Sequence, residues 1–383
     1  MSEYQYYEFQ AIDRPLTTAE MQELRSYSTR AIITATSFIN HYEWGNFKGD
    51  EDAWMAKYFD AFLYLANWGT HVLRLRWPST VLSPATARLY CPGETAAARK
   101  AKDHTIVTFV SDDEEGEDWV EGDGHLAAML PVRDEVARGD LRALYLGWLL
   151  AVQSGEFNED ELEPPVPPNL GRLSASQSAF AEFLRVDEHL LAAACQASPD
   201  VADHSLDRSA LGSWVAGLPP REKDEMLVRL MGGESPGMAR ELLSRFARER
   251  HSVAKAAGIE GLKRRTVGQL LQAAEEQRQI AARKTAEAES RRKLEAILAR
   301  EKYLDGLVGR EESLWNEIDQ LVATKQSKSY AQAVEQIIDL RDLSIRKGTE
   351  AAFSRQLETL RVKHARKLRF IDLLKQVADG SSK

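Results

Sequence analysis

The chain has 383 residues, of which 43% are hydrophobic and 28% are charged, so it can hold two or three domains with cores of their own, and global disorder is not expected. No window approaches 18 consecutive apolar residues, and the N-terminus lacks the pattern of a signal peptide, so we expect neither a membrane span nor secretion. The two cysteines, Cys91 and Cys195, suggest no disulfide framework, and we expect a cytoplasmic protein.

The net charge of -9 combines two regions of opposite sign. Residues 1–220 carry 17 basic and 34 acidic side chains, a net charge of -17, whereas residues 221–383 carry 33 basic and 25 acidic side chains, a net charge of +8. This asymmetry indicates two surfaces with different partners, or halves that attract each other.

Residues 1–111 are predicted to form an α/β domain. Alternation in "YQYYEFQAI" predicts a strand at residues 4–12, and Thr17 with Glu20 forms a capping-box pattern at the start of a helix. The stretches "RAIITATSFI" and "HYEWGNFK" predict two more strands.

A second helix is predicted over "DEDAWMAKYFDAFLYLANWG", because four apolar side chains share one helical face: Trp54, Tyr58, Phe62 and Leu65. "HVLRLRW" alternates again and completes a β-α-β-β-α-β order, which is the split β-α-β or ferredoxin-like arrangement. "ARLYC" and "TIVTFVS" would extend the sheet. We therefore expect an α+β fold with a ferredoxin-like head.

The middle of the chain is predicted to be mostly helical. An acidic loop at residues 112–124 precedes a helical segment at 125–155 that contains the most apolar stretch, "LRALYLGWLLAVQ". Four prolines in the segment 156–172 favour an extended linker. A helical domain is expected at residues 173–263.

A long charged helix is predicted over residues 264–309, which contain no proline. About 40 helical residues would span about 60 Å. Ile280 is the only large aliphatic residue between Leu271 and Leu294, so a strong coiled coil is not expected, and the helix is interpreted as a spacer.

The C-terminal segment, residues 310–383, is predicted to be a module of helical hairpins similar to tetratricopeptide (TPR) repeats, although the 34-residue consensus is absent. Successive helices would bury apolar side chains at helical spacing: Trp315, Ile318 and Val322; Tyr330, Val334, Ile337 and Ile338; Phe353, Leu357, Leu360 and His364; Phe370, Leu373 and Leu374.

Residues 264–377 resemble the helical C-terminal region of bacterial SWIM-type zinc-finger proteins. The resemblance lies in the entry "LWNEIDQLVATKQSKSYAQAV", the helix "DLRDL" and the exit "LRVKHARK". It implies a subunit of a bacterial assembly for phage defence or nucleic-acid handling. The C-x-C and C-x-H zinc motif of the family is absent here. The N-terminal stretches "YQYYEFQAIDRPLT", "FINHYEWGNFKGD" and "LYLANWGT" are similar to an uncharacterised bacterial family.

Motifs for catalysis, cofactors and metals are absent from the sequence. It contains no P-loop, no G-x-G-x-x-G and no G-x-S-x-G, and the acidic run Asp112–Asp118 lacks EF-hand spacing. A nucleophile triad of Cys91, His71 and Asp60 is weaker than the alternative that Cys91 is a small buried hydrophobe. We therefore predict no catalytic residue, cofactor or metal.

The sequence leaves three functions open. The favoured one is a non-catalytic interaction or scaffold subunit that binds protein partners through its C-terminal module, with these candidate residues: Lys325, Lys328, Arg341, Arg361, Lys363 and Arg366. The second is a nucleic-acid-associated protein that uses the basic clusters 261–266, including Lys263, Arg264 and Arg265, and 361–369. Alternatively, the basic clusters are solvated helix ends that bind no partner, and Lys367 and Arg369 complement a helix C-terminus. The third is an enzyme with a site in the head, which a deep pocket with perturbed carboxylates or histidines would indicate.

Overall fold

The computed structural model describes residues 3–113, 121–200, 208–232 and 264–378, together with positions 242, 245, 246 and 249. The chain divides into two compact units, Met1–Ile280 and Ala281–Lys383, which are treated separately below. Most of the predicted helix "GMARELLSRFARERH", most of the acidic loop and Lys263 lie outside the described residues.

The first unit is built on a seven-stranded sheet with the order β2-β3-β1-β4-β5-β7-β6. Every strand pair in it is antiparallel. The strands are β1 (Gln5–Gln10), β2 (Ile32–Ile33), β3 (Ser37–Tyr42), β4 (Ala61–Ala66), β5 (His71–Pro78), β6 (Ala96–Ala101) and β7 (His104–Ser111).

The first unit also contains helices, several of which pack on this sheet. They are α1 (Thr18–Tyr27), α2 (Glu51–Lys57), α3 (Pro84–Tyr90), α4 (His125–Met129), α5 (Pro131–Ala137), α6 (Arg142–Gln153), α7 (Ala175–Phe183), α8 (Glu188–Cys195), α9 (Arg208–Gly217) and α10 (Pro220–Met231). The long helix α11 (Val267–Asp305) begins in this unit. None of the described helices has both the length and the apolar character that a bilayer crossing requires.

Alternation along the strands gives the sheet two buried faces. Tyr7 and Phe9 of β1 belong to a core formed with α1 and α2, whereas Tyr6 belongs to a core formed with α3 to α8 and the start of α11. The strands and helices α4 to α8 therefore share one core. The proline-rich stretch joins it, since Leu170 is buried and Leu162 pairs with Thr266.

The predicted helix over residues 50–69 is wrong in its second half. Helix α2 ends at Lys57, and the chain then forms β4, which pairs with both β1 and β5. A strand between two others and covered on both faces is apolar throughout, so its pattern can imitate a helical one. Phe62 faces the core that contains Trp54, but Leu65 faces the opposite one.

The ferredoxin-like arrangement is not reproduced by the strand pairing. A split β-α-β unit places parallel strands in its sheet, whereas β1 lies between β3 and β4 and is antiparallel to both. In addition, "ARLYC" forms most of helix α3, which Ser83 caps by accepting a hydrogen bond from the Thr86 amide, and "HYEWGNFK" contributes only the end of β3. The strand predicted for "TIVTFVS" is confirmed as part of β7.

The second unit is helical and has its own core. After the end of α11 it contains α12 (Glu311–Ala323), α13 (Ser327–Lys347), α14 (Glu350–Lys363) and α15 (Leu368–Ala378). The predicted inward positions Ile318, Val322 and Ile337 are buried, and Phe370 is fully buried. The chain leaves α13 through Gly348, whose φ of +67° is a left-handed conformation that suits glycine.

Candidate functional site

Basic side chains of the second unit meet at one end of helices α12 and α14. The turn after α12 contains Lys325, which has a φ of +60°, and α14 ends at Lys363. Lys367 follows after His364, the C-cap residue of α14. We refer to Lys325, Lys363 and Lys367 as the lysine cluster.

Asp319 of α12 holds part of this cluster in place. Its carboxylate lies 2.9 Å from Lys363 Nζ and 2.7 Å from His364 Nε2. The hydrogen bond from Lys363 is the main cause that lowers the pKa of Asp319. The contact therefore fixes the end of α14 against the middle of α12.

Lys367 completes the cluster. Its ammonium group donates a hydrogen bond of 2.6 Å to the Val322 carbonyl, in the last turn of α12, where a cation complements the helix dipole. The pKa of Lys367 is lowered by burial and then by the positive charges of Lys325 and Lys363. The positive charges of Lys325 and Lys363 therefore both act on the ammonium group of Lys367.

The candidate partner-binding residues are only partly brought together. Lys325 and Lys363 join the lysine cluster, and Lys328 and Arg366 are exposed beside its members in the chain. Arg361 is 3.6 Å from Glu358 on its own helix. Arg341 lies 3.1 Å from Asp342, about 20 Å along α13 from Lys328 at 1.5 Å per residue, and is not part of the cluster.

The sequence prediction did not include Lys367 among the partner-binding residues. Its capping role was expected from the basic exit "RVKHARKLR", but the helix that it complements is α12 and not its own. Proximity of residues 325, 363 and 367 depends on helix packing, which a single sequence does not reveal.

A cavity of about 600 Å³ also lies in this unit, and no sequence pattern predicted it. Its lining is rich in carboxylates and amides, including Glu317, Glu335, Gln336 and Asp339. Tyr303 of α11 also lines it. The second unit therefore presents an acidic concave surface as well as the lysine cluster.

The candidate nucleic-acid residues Arg264 and Arg265 have structural partners in the first unit. Arg264 Nε donates to the Glu163 carbonyl at 2.6 Å. Arg265 forms a bidentate ion pair with the Glu163 carboxylate, with both N–O distances 2.8 Å, and donates to the Ala193 carbonyl. Tyr145 donates to the same carboxylate. Burial and the Glu163 charge raise the pKa of Tyr145, which keeps its hydroxyl a donor.

The three members of the imagined nucleophile triad have separate partners. Cys91 is fully buried, and burial raises the pKa of its thiol, so it behaves as a core residue. Asp60 is bound to Arg76, and His71 lies between the Phe183 carbonyl and Arg185. The described part of the chain contains no group of three or more histidine, cysteine or acidic side chains placed to hold a metal ion.

Comparisons with known proteins do not identify a family or a function for the chain. No family model, curated protein or solved structure matches the chain. The resemblance of residues 264–377 to SWIM-type proteins therefore stays an expectation, and the function is argued from the residues.

Proposed function

We propose that the chain is a non-catalytic interaction or scaffold subunit of a bacterial assembly, and that its second unit docks an acidic segment of a partner protein on the lysine cluster. Helices α12 to α15 would serve as TPR-like hairpins that present this surface. The packed hairpin of α12 and α13, with a short turn between them, supports that role.

The lysine cluster is the observation that carries the proposal. The cluster has three ammonium groups and one carboxylate, that of Asp319, which pairs with Lys363, so positive charge is in excess. Within the described residues, neither Lys325 nor Lys328 has a carboxylate at ion-pair distance. An acidic partner would relieve the repulsion, and charge complementarity of this kind gives specificity and speeds association.

The test is a quantitative pull-down from a lysate of the native host with the tagged full-length protein. We expect the double variant K325E/K328E to recover its principal partner at least about tenfold less than the wild type does, because charge reversal opposes an acidic segment. The matched control K302E reverses an exposed lysine on α11 and should retain the partner. Unchanged melting temperatures would show that the variants are folded.

Three outcomes would contradict the proposal. One is recovery of the same partners by K325E/K328E at low salt. Another is loss of the partner after nuclease treatment, which would show that the cluster binds nucleic acid. The third is loss with E335K and not with K325E/K328E, which would place docking in the acidic cavity.

A further inference from the structure

A second cavity lies in the first unit, at the edge of the sheet face that α1 and α2 cover. Its volume is about 580 Å³, within the range of small-molecule sites. We call it the aromatic pocket, and its main lining residues are Tyr7, Phe47, Glu51, Tyr64, Trp68 and Arg74. It is independent of the lysine cluster and of the proposed docking function.

Aromatic rings form much of the wall. The Tyr7 ring is stacked on Phe47 at a centroid distance of 5.0 Å and lies 4.7 Å from the Tyr64 ring. Trp68 stands at the rim and is 44% exposed. Aromatic faces carry negative charge density and attract cations that come within about 6 Å of the ring centre.

The charged groups of the pocket are predominantly negative. Arg74 is the cation, and its Nη2 lies 3.0 Å from Glu51 while its Nη1 lies 3.2 Å from Asp52. Asp50, which also lines the cavity, accepts a hydrogen bond from the Ala53 amide at the start of α2. Arg99 Nη2 also lies 2.9 Å from Asp52, so three carboxylates oppose two guanidinium groups, of which only that of Arg74 lines the pocket.

Burial raises the pKa values of the two phenols in the pocket, and nearby negative charge adds to the effect. The pKa of Tyr64 is raised to about 12, first by burial, with a further contribution from the charge of Glu51. Burial raises the pKa of Tyr7, and the Glu51 charge again adds to the effect. An added cation would be stabilised by the same field.

The floor of the pocket is held rigid by hydrogen bonds. Gln5 Oε1 accepts from the Tyr7 hydroxyl at 2.9 Å and from the Tyr64 hydroxyl at 3.3 Å. Gln5 Nε2 donates to the Gly45 carbonyl at 3.0 Å. The rings are thus fixed before any ligand arrives, which lowers the entropy lost on binding.

We propose that the aromatic pocket binds a small organic cation, an amine or a quaternary ammonium compound. The cationic group would lie against the rings of Tyr64 and Trp68, with the Glu51 carboxylate as its counter-ion. Anionic ligands are disfavoured by the three carboxylates.

Isothermal titration of the full-length protein with choline, tetramethylammonium and putrescine tests this assignment. At least one of these cations should bind saturably, and 3,3-dimethyl-1-butanol, the neutral isostere of choline, should bind at least about tenfold more weakly. A comparison of the binding of choline and tetramethylammonium with that of putrescine distinguishes recognition of quaternary ammonium groups from recognition of primary ones. We expect Glu51→Gln to weaken binding about tenfold or more, and Glu94→Gln, at an exposed carboxylate outside the pocket, to leave it unchanged.

Trp68→Ala provides a second variant in case Glu51→Gln does not fold, because the Trp68 side chain is partly exposed at the rim. It should also weaken binding, and cation binding by the wild type should change tryptophan fluorescence. The proposal is overturned if no probe binds at millimolar concentration, if the neutral isostere binds as well as choline, or if the folded pocket variants bind as the wild type does.

Discussion

At the scale of single residues, the first unit depends on a buried network of opposite charges. Asp60 is 0% exposed and accepts from Arg76 at 3.1 Å and 2.7 Å, and from the backbone amides of Ile12 and Asp13. Arg133, 1% exposed, lies 3.7 Å from the same carboxylate and donates to the Arg76 carbonyl. Removing one partner from such a network leaves a charge buried without compensation.

We therefore expect Asp60→Asn to lower the free energy of unfolding by about 3–5 kcal/mol. Urea denaturation followed by tryptophan fluorescence would measure it. Asp103→Asn, at an exposed carboxylate, is the control and should change little. A loss for Asp60→Asn no larger than that of the control would show that the network contributes nothing net.

Some residue-scale features follow from the sequence and others do not. The buried, unreactive state of Cys91 and the capping function of Lys367 agree with residue type and local charge. The partners of Arg265 do not follow, because Glu163 is 102 positions away and its position depends on packing. A basic run in the sequence is therefore interpreted as a ligand-binding surface, although the Arg265 side chain has its partners within the fold.

At the scale of elements, helices are easier to predict here than strands. The inward positions of α12 and α13 follow a 3.6-residue period, whereas the long helix is predicted from its charged composition and the absence of proline. The prediction fails for strand β4, because burial on both faces removes the two-residue alternation of apolar and polar side chains. The aromatic pocket is not predicted from the sequence for the same reason. Tyr64 and Arg74 were assigned to separate elements, and the sequence does not show that those elements are neighbours.

The start of α11 is attached to the first unit by Arg265 and Glu163. We expect Arg265→Ala and Glu163→Gln each to lower the free energy of unfolding by about 3 kcal/mol, because each leaves a buried charged or polar group without its partner. Their effects should be non-additive in a double-mutant cycle, with a coupling of about 2 kcal/mol.

Arg291→Ala, on helix α11, is the matched control. Its ion pair with Glu295 is exposed, so the loss should be below about 0.5 kcal/mol. Additive effects of the Arg265 and Glu163 variants would contradict the attachment described here.

At the scale of the whole molecule, acid is expected to destabilise the first unit. The His71 Nδ1–H donates to the Phe183 carbonyl at 2.7 Å, and Nε2 accepts from Arg185, so the ring is neutral. Burial is the main cause that lowers the pKa of His71, and also that of His104. Both histidines therefore bind a proton more readily in the unfolded chain than in the folded one. The free energy of unfolding consequently decreases as the pH falls below about 6.5.

Melting temperatures measured between about pH 7 and pH 5 would test this linkage. His71→Asn should flatten the dependence in part, leaving the contribution of His104. His41→Asn, at an exposed histidine, should keep the wild-type slope. If the melting temperature of His71→Asn depends on pH as steeply as that of the wild type, His71 is not the source of the pH dependence.

The sheet of the first unit also has a consequence for how copies of the chain behave when concentrated. Open strand edges can template further strands from other molecules. One edge here is β2, with only two residues, and the other is β6, which carries Arg99 and Lys100. Short length at one border and positive charge at the other disfavour edge-to-edge growth, so the fold carries its own protection against β-aggregation.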